Sequence, residues 1–239
     1  MSCGFLTPDS SFLIVYNPFM PTSMRIRLLA LAIAALAGPV SAQSPTATLD
    51  RAVRAYKKVK TVRASFTQTI TNPLLGATVK SAGELVQRRP NHVAVRFTDP
   101  AGDRIVADGS WVWFYLPSST PGQVVRTRIA NGVSGSPDLT AQFLDTPSSR
   151  FNVTDLGREK VNGRTARVLS LVPKPGIEAQ FTKAVVWVDS ADALIRQFEL
   201  TEPSEIVRRV TITKLTLNPA VPASAFRFTP PSGTKVIEQ

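Results

Sequence analysis

The sequence is short of the residues that most site chemistry needs, with one cysteine, Cys3, and one histidine, His92, among 239 residues. With Cys3 at the N-terminus, the rest of the chain can build neither a disulfide nor a thiolate metal site. His92 has no cysteine partner, and no G-x-S-x-G, P-loop or H-E-x-x-H pattern occurs, so no catalytic residue is assigned and no enzyme is expected. Neither a metal nor another cofactor is expected. Long apolar runs are missing too. The apolar run within residues 26–37 falls well short of the roughly 18 to 20 residues that a membrane-spanning helix needs.

That short run nevertheless has a pattern. Met24, Arg25 and Arg27 precede it, and Val40-Ser41-Ala42 places small residues at the spacing of a cleavage site, which reads as a secretory signal peptide. Met24 is the expected start of translation, with residues 1–23 an upstream extension. Removal of residues 1–42 leaves residues 43–239, about 197 residues and enough for one domain. The net charge of +11 favours anionic partners. Its basic residues are scattered along the strands, and Arg88-Arg89 and Arg208-Arg209 are merely doublets, so no nucleic-acid partner is expected.

Past Ser44 as N-cap and Pro45 at the first helical position, Leu49, Ala52, Val53, Tyr56 and Val59 recur at helical spacing. From Thr61 the period becomes two, with Val62, Ala64 and Phe66 on one face. Turn signals such as Asn72-Pro73, Asp108-Gly109, Asn131-Gly132 and Asn162-Gly163 then divide the chain into about eleven strands joined by loops too short for parallel crossovers. Within residues 136–144, Ser136 as cap, Pro137 and the apolar Leu139, Phe143 and Leu144 predict one short inserted helix. Residues 222–226 predict a helical turn and residues 226–229 a last strand. So many strands with so few helices predict a large antiparallel sheet left partly open. The strand Trp111 to Leu116 is apolar on both sides, with Trp111, Trp113 and Tyr115 alternating against Val112, Phe114 and Leu116, and is expected to be buried on both. Asp189-x-x-Asp192 and Glu199-x-x-Glu202 read as solvated turn residues rather than acid/base pairs.

Several segments together resemble the outer-membrane lipoprotein carrier family, the LolA-type periplasmic chaperones. They are Ala64-Ser65-Phe66-Thr67-Gln68, Gly83-Glu84-Leu85, Arg88-Arg89-Pro90-Asn91, Ala107-Asp108-Gly109, Trp113-Phe114-Tyr115 and the stretch from Phe226-Arg227-Phe228 to Gly233. The resemblance implies a mainly β fold, an incomplete antiparallel barrel whose helical lid encloses a hydrophobic cavity. It implies carriage of lipoprotein acyl chains through the periplasm by a monomer, from an inner-membrane lipoprotein-releasing ABC transporter to an outer-membrane acceptor lipoprotein. No lipidation cysteine follows the signal segment, which favours the diffusing carrier over the anchored acceptor. A lipid-sensing regulatory domain or a carrier of other hydrophobic cargo on the same fold are the alternatives.

Under this resemblance Val93, Val95, Phe97, Trp111, Trp113 and Tyr115 are candidates for the cavity wall, and Leu139, Phe143 and Leu144 for the lid. Val93 and Val95 stand where well-studied members place aromatic residues, which implies a roomier or differently shaped pocket. Arg89, from the arginine-proline motif, is the expected lid gate, bonding the terminal carbonyls of the lid helix while the cavity is empty. Arg88 is its control.

Overall fold

Ser44 opens the first helix, α1 (Pro45–Lys57), by accepting a hydrogen bond from the Ala47 N–H at 3.1 Å, with Pro45 in the first turn. Leu49, Ala52 and Tyr56 recur along one side of α1 and are buried. This computed structural model describes residues 44–129 and 138–239, without the side chains of residues 139 and 140. The signal segment, Ser136, Pro137 and the Leu139 side chain lie outside the described residues. Among those described, no helix is long and apolar enough to cross a membrane.

The chain continues through β1 (Thr61–Asn72), β2 (Ala77–Arg88), β3 (His92–Asp99), β4 (Ala101–Asp108), β5 (Trp111–Tyr115) and β6 (Gln123–Arg128). Two short helices, α2 (Leu139–Leu144) and α3 (Pro147–Arg150), precede β7 (Phe151–Val161), β8 (Arg164–Pro173), β9 (Lys183–Asp189), β10 (Ile195–Thr201) and β11 (Val207–Leu217). A 3-10 turn (Ala223–Phe226) and β12 (Lys235–Glu238) complete it.

All twelve strands form one sheet in the order β12-β6-β5-β4-β3-β2-β1-β11-β10-β9-β8-β7, and its two ends do not pair, so the barrel is incomplete. Two antiparallel meanders, β1 to β6 and β7 to β11, are joined through β1 and β11. The sequence expectation misses at the C-terminus. Residues 227–229 form no strand, and the last strand, β12, lies parallel to β6. Pro230 and Pro231 have no N–H to give a ladder, so pairing resumes only beyond Gly233.

Cross-strand partners project from the same face of a sheet, so the registers sort every strand residue to one of two faces. Helices α1 and α2 cover the inner face, where Leu49, Tyr56 and Phe143 pack with Phe66, Leu169, Val186 and Phe198. Gly83 sits there between Phe66 and Phe97, and a Cβ on it would lie 2.6 Å from the Arg96 carbonyl oxygen. Its missing side chain lets the two phenylalanine rings meet edge to face, 5.9 Å apart. A smaller cluster of Val161, Ala166, Val168, Val185 and Trp187 occupies the outer face.

The carboxylates read as solvated turn residues prove to be ion-paired. Asp189 is only 2% exposed and is held by Arg164 and Arg196, which also bind Asp192, while Glu199 accepts from Arg209 and Glu202 from Arg208. Burial pushes the Asp189 carboxyl up, but bonds from Arg164, the Ala191 N–H and Arg196 outweigh burial and hold it at about 2. A carboxyl lowered on folding stabilises the fold above its ordinary value and loses that contribution as pH falls through the folded value. Urea midpoints are therefore expected to fall between about pH 4 and pH 2, and Asp189→Asn is expected to flatten this dependence. An unchanged acid limb in Asp189→Asn would contradict this.

Candidate functional site

The registers split the six candidate wall residues between the two faces. Val93, Val95 and Phe97 belong to the inner face: Val95 pairs with Leu85 and Ile105, Val93 with Gln87 and Ala107, and Phe97 with Gly83. Trp113 pairs with Val106 and Arg126, Trp111 with Arg128 and Tyr115 with Arg104, which puts all three aromatics on the outer face. They cannot line the same wall as Val93 and Val95. The inner residues of β5 are Val112 and Phe114, whose partners are Ala107 and Ile105. Across six strands this face carries a continuous apolar strip, Ala64, Leu85, Val95, Ile105, Phe114 and Val125.

From Leu85 to Val125 every member of the strip is half-buried. The expectation that β5 is buried on both sides fails, since each of its residues is partly exposed. Helix α1 touches β7 and β9, and the large inner core spans β1 and β7 to β11, so the helices leave the β3 to β6 half less covered.

The outer aromatics have a different cover. The C-terminal segment crosses them, with Phe228 5.8 Å from the Trp113 ring and 5.9 Å from the Tyr115 ring, and Phe226 5.4 Å from His92. Arg88 fastens that segment by donating to the Val221 carbonyl at 2.9 Å and lying over the Phe226 ring. A polar cleft of about 420 Å³ lies here, lined by Arg88, His92, Asp108, Arg227 and Thr229 among others. Asp108 explains its place in the Ala-Asp-Gly motif: its carboxylate accepts from the Ser110 and Trp111 N–H groups and from the Trp113 indole. Burial raises its pKa, yet these bonds to the charged form prevail and lower it.

Arg88 and Arg89 point to opposite faces. Arg89 donates to the Tyr56 carbonyl at 3.0 Å from one guanidinium nitrogen and sets its Nε 2.9 Å from Asp138 Oδ2. Asp138, 4% exposed, caps α2 by accepting from the Ala141 N–H at 3.2 Å. The expected partners were the terminal carbonyls of the lid helix. The structure instead has Arg89 reach the N-terminal cap of α2 and a carbonyl in the last turn of α1. Tyr56 itself is enclosed, and burial pushes its hydroxyl up to about 12 while the oxygen accepts from the Ile195 N–H at 3.3 Å.

The described apolar side chains of α2 pack onto the sheet. Phe143 is fully buried, with ring centroids 5.4 Å from Phe198 and 5.8 Å from Phe181, and Leu144 lies in the same cluster. The two residues fill the inner face that they were expected to cover.

The family model described as "Outer membrane lipoprotein carrier protein LolA" matches residues 57–229. This chain belongs to that family. An outer-membrane lipoprotein carrier protein of Klebsiella pneumoniae (strain 342) is 31% identical over 217 residues, covering 90% of this chain and 99% of the relative. One from Cronobacter sakazakii is 32% identical over 185 residues, covering 76% of this chain and 83% of the relative. Among solved structures, an uncharacterized conserved protein from Thermus thermophilus shares the fold at a TM-score of 0.51 and 14% identity, covering 82% of this chain and all of that one.

Within this LolA-family fold, sequence reasoning missed Asp138, Tyr56, Gln87 and Phe114 as parts of the inner site. Asp138 carried a usable signal, because aspartate caps helices as well as serine does and stands three residues before Ala141. The inner position of Phe114 carried none, since a strand apolar on both sides does not declare which side meets the helices.

Proposed function

We propose that this chain binds lipoprotein acyl chains on its inner face and carries them through the periplasm. It would take them from an inner-membrane lipoprotein-releasing ABC transporter and deliver them to an outer-membrane acceptor lipoprotein. Residues 24–42 would direct export and be removed. The observation that carries the reading is the half-buried strip from Leu85 to Val125, beside a small helix fastened by one arginine. Family membership supports it, as do relatives named for lipoprotein carriage. A carrier is needed because water costs an acyl chain about 0.8 kcal/mol per methylene, on the order of 10 kcal/mol for one long chain. An apolar face that refolds onto its own phenylalanines when empty can load and unload without a chemical step.

The test compares charges placed on the two faces of β5. Phe114→Glu is expected to keep its circular dichroism and to lose lipoprotein binding at least about tenfold, because a carboxylate in the strip must be desolvated by each chain. Trp113→Glu is expected to retain binding and to lose stability, because it puts a carboxylate beside Asp108 and unseats Phe228. Native mass spectrometry of the periplasmic protein, together with release of lipoproteins from inner-membrane vesicles, reads the binding. Repeated isolation of empty protein that also releases no lipoprotein would overturn the carrier reading.

A further inference from the structure

Among the described residues, the inner face holds a buried amide donor that has no partner, Nε2 of Gln87. Gln87 lies between Val62 and Val93 across the strands, two residues from Leu85 on one side and from Arg89 on the other. It is 5% exposed, and its buried Nε2 makes no hydrogen bond. Gln68, on the same face, has a partner for each end of its amide: it donates to Ser81 at 3.1 Å and accepts from Arg208 at 3.3 Å. Buried amide donors are nearly always paired, because an unmade bond costs the full desolvation of the group. An orphan kept beside the acyl strip and next to the Arg89 fastening needs a reason that the empty protein does not contain.

We infer that Gln87 is a polar anchor for the carbonyl oxygen at the head of a bound acyl chain, so that the site prefers ester- or amide-linked chains to plain hydrocarbon. The inference rests on the acyl-carrier reading. A carbonyl fits the place chemically, since it accepts a hydrogen bond, brings no donor of its own, and adds no charge to surroundings made of valines. The position fits as well. A head held at Gln87 stands beside Arg89 and the cap of α2, and leaves the tail to run along the strip from Leu85 to Phe114. Loading then gives Nε2 the bond that the empty state lacks, which favours the filled form. It also sets the depth of insertion, because a chain slid further in or out loses that bond.

The experiment uses two lipids of equal chain length, 1,2-dipalmitoylglycerol with two ester carbonyls and 1,2-dihexadecylglycerol with ether links. Each competes against the fluorescent hydrocarbon diphenylhexatriene for the processed protein. The unchanged protein is expected to prefer the diester about tenfold, the size of one buried hydrogen bond. Gln87→Leu and Gln87→Met should both abolish the preference while binding the diether at least as well, and the empty variants should melt higher because the orphan is gone. Two substitutions of different shape keep the test intact if one packs poorly. Equal binding of the two lipids by the unchanged protein, or a preference that survives both substitutions, overturns the anchor and leaves acyl binding standing. Binding of neither lipid overturns the acyl-carrier reading, and the anchor with it.

Discussion

Arg89→Leu is expected to load acyl chains at least as well as the unchanged protein and to deliver them at least about tenfold more slowly. The guanidinium ties the Asp138 cap of α2 to the Tyr56 carbonyl in α1. Asp138 is nearly inaccessible, and removing one member of a buried pair costs about 3–5 kcal/mol because the other charge stays behind unpaired. Arg89 is 26% exposed, which places the loss toward the lower end. Lifting α2 returns the Asp138 carboxylate to water, so the loss falls on the closed form rather than on the sheet. A ligand that binds the open form then no longer works against closure, and only the difference between forms sets its affinity. Even 1.4 kcal/mol of that difference is tenfold in binding. Asp138→Asn should repeat the effect more weakly, since asparagine still caps the helix. Arg88→Leu frees the C-terminal segment on the other face and should leave transfer close to normal. Transfer in a reconstituted donor-to-acceptor assay, with hydrogen exchange at residues 141–150, measures both arms. Equal and efficient delivery by Arg88→Leu and Arg89→Leu would sink the gate.

Phe143→Ala should be the most destabilising change in α2, and acyl ligand should repair it. Phe143 is fully buried among Phe181, Phe198 and their neighbours, and truncating such a side chain costs about 3–5 kcal/mol through lost transfer and the cavity left behind. On an ordinary core that loss is permanent. If α2 and an acyl chain compete for the same inner face, a lipid that fills the vacated volume restores part of the stability by mass action. Thermal melts with and without dipalmitoylglycerol should differ more for Phe143→Ala than for the unchanged protein. A loss of comparable size in Trp187→Ala, on the outer face, should show no such rescue. Identical ligand responses in the two variants would place the acyl chain elsewhere.

The sequence makes α1 and β1 plain, because their apolar positions follow one period and Ser44-Pro45 marks the start. It makes the number of strands nearly plain, because glycine, proline and asparagine punctuate them. What it hides is which strand residues share a face. Val93, Val95 and Trp113 each obey period two within their own strand, but the register across the Asp108-Gly109 turn decides that Trp113 joins Val106 and not Val95. Arg89 is visible through its motif, whereas its carboxylate partner is overshadowed: Asp138 can cap a helix, but Ser136 and Pro137 offer the same start signal two residues earlier. Gln87 is unreadable for a related reason. A glutamine in a strand is ordinary until its neighbours are known to be Val62 and Val93.

The order of strands also has a consequence for how the chain comes to be folded. β1 is the first strand in the sequence, yet one of its two ladders is made with β11, so Phe66 waits for Ile212. The last strand, β12, seals the edge of β6 after nearly every other residue has been placed. Contacts of such long reach slow the search for the native state, since loop-closure entropy is lost before the pairing repays it. Until β11 and β12 have been placed, β1 and β6 each lack one of their two ladders, so the sheet reaches its full width only when the C-terminal end of the chain has been added.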